Sequence, residues 1–379
     1  MQFSRRGEVN PFIVMDVMED ARRAEAAGAS VIHMEVGQPG TPAPRLAREA
    51  VNKAMSSEAL GYTVALGLPE LRERISKLYR NWYGIDVPAS RIIVTAGSSA
   101  GFLLSFLAMF DAGQRVATIA PGYPSYRNIL KGLDIEVVEL DGAAASGWRP
   151  TPEMIAGAGD IDGLLVASPS NPTGAMLDRA SLQGLINAAR AKNAVFISDE
   201  IYHGLHYGER AVTALELSDD VVVINSFSKY FSMTGWRVGW MVAPEPMVRV
   251  VERLAQNFFI CPAHVSQVAA LAAIDAVDEC EANLTVYRKN REVLLEELPK
   301  AEFTKLAPCE GAFYIYAEVD HLTGDSREFC KRMLAEAGVA ATPGHDFDPM
   351  RGAQTVRFSF ARSTEDMVEG ARRLKAWLG

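Results

Sequence analysis

The stretch VVVINSFSKYFSMTGWRVGW, residues 221–240, decides how the chain is read. VVVIN (221–225) is a short β-branched run of the kind that forms a buried strand. Two serines, a lysine, a Gly-Trp pair and an arginine follow it. A lysine set where a buried strand ends is held against the protein body, partly desolvated, with its charged form disfavoured. Such an amine is a nucleophile able to form a Schiff base, and Lys229 is the candidate. Ser226, Ser228 and Arg237 are residue types that hold a phosphate beside it. The competing reading is a solvated surface lysine, and the rest of the chain has to arbitrate.

Upstream, the same apolar pattern recurs at βαβ spacing in RVATIA (115–120), IEVVEL (135–140), GLLVAS (163–168) and AVFIS (194–198). Near-continuous apolar runs predict a mostly parallel sheet with helices on both faces. In open sheets of this kind ligands bind outside the carboxyl ends of the strands. Tyr123 follows the first of these runs, Asn171 of PSNPTG the third, and Asp199 and Tyr202 the fourth. RIIVTAGSSAGFLLSFLAMF (91–110) reads as a strand, a small-residue turn and a helix. Gly97, Ser98 and Ser99 open that helix, where N–H groups at the positive end of the dipole favour an anion. The turn is neither a Walker loop nor a GxGxxG dinucleotide turn. Each residue has a local alternative: Asn-Pro and Thr-Gly make turns, Asp199 caps a following helix, Tyr123 is core. Their convergence on one sheet edge is what carries weight. His203 and His206 lie near Asp199, but a glycine separates them and no third ligand follows at a recognisable spacing, so no metal is expected.

Toward the amino end, Asn10 and Pro11 read as a helix cap and first-turn proline, with Phe12, Met15 and Met18 at helical spacing up to Gly28. VIHMEV (31–36) reads as a strand entering VGQPG, where Gly37 lets backbone approach a ligand or simply connects. Residues 43–60 read as helix, and Tyr62 lies in the loop before GLPELR (67–72). Toward the carboxyl end, 244–258 and 265–298 read as long helices leading out of the sheet. GAFYIYAEV (311–319) and TVRFSFA (355–361) read as strands. Arg357 in the latter is either a solvent-facing edge residue or a two-pronged clamp for a carboxylate.

At 379 residues the chain is long enough for two domains. It is 49% hydrophobic and 22% charged, an ordinary globular balance. The net charge of 38 − 47 = −9 argues against general nucleic-acid binding and against anionic membrane surfaces. No apolar run approaches the roughly 20 residues that span a bilayer, and MQFSRRGEVN lacks a secretory apolar core. Cys261, Cys280, Cys309 and Cys330 are far apart, which fits free thiols in a reducing cytoplasm.

Taken together, SNPTG, SDEIY, and SFSK followed eight residues later by the arginine of GWRVG resemble the class I/II pyridoxal-phosphate-dependent aminotransferases of fold type I, in the aspartate aminotransferase-like branch. The resemblance runs from VGQPG to RFSFA. It implies an α/β fold: a large domain (43–284) with a mostly parallel seven-stranded sheet covered by helices, and a smaller α+β domain built from both chain ends (1–42 and 285–379). It implies pyridoxal 5′-phosphate as cofactor, joined to Lys229 as an aldimine, and ping-pong transfer of an amino group between an L-amino acid and a 2-oxo acid. By the same resemblance Lys229 shuttles the proton and Asp199 keeps the pyridine nitrogen protonated. Tyr202 and Asn171 bond the ring hydroxyl oxygen, and Tyr123 stacks on the ring. Gly97, Ser98, Ser99, Ser226, Ser228 and Arg237 bind the phosphate. Tyr62 reaches the phosphate of the partner subunit, implying a homodimer. Arg357 grips the substrate α-carboxylate, assisted by Asn171 and the Gly37 backbone. Asp348 follows Phe347 where many relatives carry glycine, in a loop that borders the substrate side chain in the family. The expected substrates are aspartate, glutamate, alanine or aromatic amino acids. A β-lyase or related synthase on the same scaffold is the alternative. A regulator that keeps the fold is a more distant one, since an added DNA-binding segment is expected there and the chain begins almost directly with aminotransferase-like sequence.

Overall fold

The computed structural model describes residues 1–142 and 144–379. In chain order its strands are β1 (Ile32–His33), β2 (Ile92–Thr95), β3 (Arg115–Ala120), β4 (Glu136–Asp141), β5 (Gly163–Ala167), β6 (Val195–Asp199) and β7 (Val222–Ser226). After these come β8 (Gly239–Val242), β9 (Lys305–Leu306), β10 (Tyr314–Glu318), β11 (Val339–Ala340), β12 (Thr342–Pro343) and β13 (Thr355–Ser359).

Seven strands in the order β2-β8-β7-β6-β5-β3-β4 form the main sheet. Strands β3 to β7 pair in parallel, whereas β8 runs antiparallel to both β7 and β2. Only β8 is therefore reversed. This strand, GWMV (239–242), is too short to stand out in the sequence. The chain reaches it through Arg237, whose backbone is left-handed at φ 50°.

Alternation along each strand shows why both faces must be covered. Ile92, Val94, Leu164, Val166 and Val223 join one apolar cluster with Leu71 and Ile75 of the helix Pro69–Tyr83 and Leu182 and Leu185 of the helix Arg179–Ala191. Ile93, Leu165, Val222 and Ile224 join another with Phe102 and Phe106 of the helix Gly97–Met109 and Met247 and Val251 of the helix Glu245–Phe258. With both faces dry, a polar ligand is left the strand ends.

A four-stranded sheet, β12-β13-β10-β9, and a two-stranded one, β1-β11, lie outside this layer. The parallel pair β1-β11 joins Ile32 to Val339, so the two chain ends meet there. The expected boundary at 284/285 falls inside the unbroken helix Val277–Glu297. We infer the two-unit division from the separate sheets.

Three local expectations are corrected. Asn10 does not cap the first helix, Ile13–Ala26; its N-cap is Phe12, without a side-chain bond. Instead Asp346, 333 residues away, accepts from Ile13 N at 3.1 Å and from Val14 N at 3.2 Å. That helix buries Val14 and Ala21, not the Phe12–Met15–Met18 stripe. Residues 265–298 form two helices, His264–Ala273 and Val277–Glu297, broken at 274–276. Among the described residues no helix is long and apolar enough to cross a membrane.

Candidate active site

Five strand ends converge on one cavity. The turn after β2 begins the helix Gly97–Met109, so Ser98 and Ser99 present hydroxyls and free N–H groups at its positive end. Gly97 has φ +76°, and a Cβ there would sit 2.4 Å from the Arg237 guanidinium. Glycine thus lets Arg237 lie against the helix start. Arg237 also donates to Thr234 O at 3.0 Å and lines the cavity with Ser228. A helix N-terminus, hydroxyls and a guanidinium make a cradle for a phosphate.

Asp199 ends β6 and is buried. No helix follows it to be capped: Tyr126 Oη donates to Oδ2, and Ile201 N to Oδ1 at 3.0 Å. Burial pushes its carboxyl up to about 6, opposed by these two donors and by the Lys229 charge. Tyr202 is buried and hydrogen-bonds Tyr314 Oη at 2.7 Å. Tyr123 lines the cavity, its ring edge-on to Tyr126 at 5.3 Å and to Phe12 at 5.8 Å.

Lys229 is half-buried, and its Nζ donates to Gly37 O at 2.7 Å. The surface-lysine reading does not hold. Burial first, then the Arg357 and Arg237 charges, hold its amine down to about 7, with Asp199 pulling the other way. Near neutrality a sizeable fraction of this amine is uncharged and nucleophilic.

Arg357 is 3% exposed, because β13 is an interior strand between β10 and β12. The edge-arginine alternative therefore fails. Its Nη1 donates to Asn171 Oδ1 at 2.9 Å and its Nη2 to Glu35 O at 2.5 Å, while Tyr314 and Phe347 face the guanidinium at 4.3 and 4.5 Å. Among the described residues no carboxylate pairs with it, and its buried Nε has no partner. A buried guanidinium with no carboxylate in contact, and only the more distant Asp346 charge acting on it, is a receptor for an anionic ligand.

Not every expected residue faces the cavity. Ser226 Oγ is spent on Ser228 Oγ (2.8 Å) and Val238 O (3.1 Å), so it braces the loop. Tyr62 is 83% exposed and lies away from this chain's cavity. Asp348 is buried against Arg351 at 3.0 Å and closes its own loop. His203 is tied to Ser168 O at 2.9 Å and to Tyr83 Oη at 2.6 Å. No group of three or more metal-ligating side chains occurs among the described residues. Sequence reading missed Tyr126, Tyr314, Phe12 and Met15. Tyr126 lies one helical turn after Tyr123, the one local signal; the others arrive from distant elements.

Residues 29–374 match the family model of aminotransferase class I and II. The chain is similar to the valine–pyruvate aminotransferase of Mycobacterium tuberculosis, 45% identical over 98% of this chain and 97% of that one. It is 30% identical to the aspartate aminotransferase of Sulfurisphaera tokodaii, over 97% and 94% of the two chains. The solved aspartate aminotransferase of Thermus thermophilus with maleate superposes with a TM-score of 0.94 at 29% identity, covering all of both chains. The protein is a member of the class I and II aminotransferases.

Proposed function

We propose that pyridoxal 5′-phosphate is the cofactor and that Lys229 is its covalent anchor. One observation carries the reading: an amine held near neutrality shares a cavity with a buried carboxylate, a phosphate cradle and a buried guanidinium without a counter-ion. These donors fit the group. Gly97, Ser98, Ser99, Ser228 and Arg237 would hold the phosphate, with Ser226 bracing Ser228. Asp199 would hold the ring nitrogen, Tyr202 and Asn171 the ring hydroxyl, and Tyr123 one ring face. When bound, the cofactor supplies an electron-withdrawing ring that stabilises negative charge on the amino acid α-carbon.

The chain's own residues do the rest. Arg357, with Asn171 and the Gly37 backbone, binds the α-carboxylate and fixes the α-hydrogen relative to Lys229. Lys229 Nζ would take that proton and hold it for return; a group with a pKa near the working pH serves in both directions. The donor would leave as a 2-oxo acid, its amino group retained on the enzyme, before the acceptor enters and takes that group, a ping-pong order. Exposed Tyr62 would reach the partner's phosphate in a homodimer of cytoplasmic protein. The names of the relatives point to valine with pyruvate in one case and to aspartate in others. Aspartate, glutamate, alanine and aromatic amino acids belong in the test panel with valine.

The test is spectroscopic. Purified protein is expected to absorb visible light in a pH-dependent manner. Borohydride is expected to fix the chromophore on Lys229, and Lys229→Ala to abolish both signals. A panel of amino donors against 2-oxoglutarate and pyruvate then reads out transfer. A colourless protein refutes the cofactor. Release of pyruvate and ammonia from cysteine without an acceptor makes the enzyme a lyase.

A further inference from the structure

The charged side chains lining the cavity are Asp199, Lys229, Arg237 and Arg357. Under the aminotransferase reading, on which this inference rests, each is already engaged. Asp199 serves the ring nitrogen, Lys229 the proton, Arg237 the phosphate and Arg357 the α-carboxylate. Among the described residues of this chain no cation lining the cavity remains for a second carboxylate.

What remains is mainly apolar, with the uncharged Gln38 and Thr234 the polar side chains not yet assigned. Phe12, Val14 and Met15 from the amino end, with Val36 beside Gly37, form one wall of the cavity. Met15 is 48% exposed although it sits in the apolar stripe of a helix, and Val14 next to it is buried. The Phe12 ring lies edge-on to Tyr123 at 5.8 Å, so the wall abuts the aromatic assigned to the ring face.

The start of the helix Ile13–Ala26 is the other source of positive charge on this wall, since its first N–H groups point outward. Those groups are taken. Ile13 N and Val14 N donate to the Asp346 carboxylate, and Met15 N donates to Phe12 O at 2.9 Å. Arg127 is also committed, donating to Asp346 O at 2.5 Å and to Phe347 O at 3.4 Å, with Glu139 at 3.9 Å. Asp346 is 2% exposed and holds the wall in place while adding negative charge behind it.

We propose that the amino acid side chain lies against Phe12, Met15 and Val36, and that this enzyme takes neutral apolar side chains, aliphatic or aromatic, in preference to aspartate and glutamate. A second carboxylate on that wall sheds part of its water without gaining a cation as partner, which is unfavourable. An alkyl or aryl group gains from the same burial. Phe12 and Met15 are the specificity-determining residues, and Asp346 positions them.

Calorimetry on the cofactor-loaded enzyme separates the possibilities with unreactive carboxylates: 4-methylpentanoate, 3-phenylpropanoate and succinate. The monocarboxylates are expected to bind at least about 10-fold more tightly than succinate. The kcat/KM for leucine and phenylalanine is expected to exceed that for aspartate by on the order of 100-fold. Met15→Arg, at a half-exposed helical position where arginine is well tolerated, is expected to raise succinate affinity about 10-fold, and Met15→Leu to leave the order unchanged. Succinate bound as tightly as the monocarboxylates, or aspartate turned over as fast as leucine, overturns the proposal and puts a cation from outside this chain in the site. Succinate affinity unmoved by Met15→Arg overturns the placement of Met15. A protein that binds none of the three overturns the aminotransferase reading as well.

Discussion

Replacing Lys229 by methionine in protein freed of its cofactor tests the electrostatics of the cavity without any catalysis. The Lys229 amine is held at about 7, against 10.5 for a free lysine. The folded state therefore gives up its proton first. Between pH 7 and 10.5 the unfolded chain binds more protons, and stability rises with pH. The destabilising effect of the buried charge is fully present below pH 7 and gone above 10.5. A difference of 3.5 units (10.5 − 7) corresponds to about 5 kcal/mol at about 1.4 kcal/mol per unit. The amine faces a cavity open to water, which screens it, so about half of that, roughly 2 kcal/mol, is the expected size. Lys229→Met removes the charge at nearly constant volume. Urea midpoints of the two proteins, compared at one protein concentration from pH 7 to 10, give the answer. The variant is expected to be the more stable by about 2 kcal/mol at pH 7, the gap narrowing toward pH 10. Parallel curves, or a gap that widens with pH, would refute the reasoning.

Other perturbations test single links. Gly97→Ala forces a side chain into left-handed backbone and into the Arg237 guanidinium, 2.4 Å from the new Cβ. Cofactor affinity, titrated by visible absorption, is expected to weaken at least about 10-fold, and an unchanged affinity removes Arg237 from the cradle. Tyr126→Phe deletes a donor that lowers Asp199, so that carboxyl rises further above its present value of about 6. In cofactor-free protein the Asp199 carboxyl, followed by infrared or NMR titration, is then expected to lose its proton at higher pH than in the parent protein; an unmoved titration would remove Tyr126 from its control. Arg357→Lys keeps the charge but loses the planar fork between Tyr314 and Phe347. Donor kcat/KM is expected to fall on the order of 100-fold with the chromophore intact, and full activity would place the carboxylate elsewhere.

Much of the sheet is legible in the sequence because its signals are local. A parallel strand buried on both faces is a run of apolar residues, and β3, β5, β6 and β7 each begin or end within about one residue of such a run. The polar residues just beyond the runs mark the C-terminal edge of the sheet, and Asn171, Asp199, Lys229 and the serines are among them. Reversed β8 is not legible, because four residues after a left-handed turn carry no period of their own. Capping illustrates the same limit. Asn10-Pro11 has the local form of a helix start, yet Asp346 supplies the bond from the far end of the chain.

The sequence alone specifies the succession of parallel strands β3 to β7, the amine at the end of β7 and the residue types around it, since each depends on neighbours a few positions away. It took the folded chain to establish that Arg357 is interior and without a counter-ion, that Ser226 braces the loop while Ser228 faces the cavity, and that Phe12 and Met15 form a wall of the site. Those properties depend on which surfaces meet across hundreds of residues. Burial and pairing, which set the chemistry of a charged group, are properties of that meeting and have no local signature.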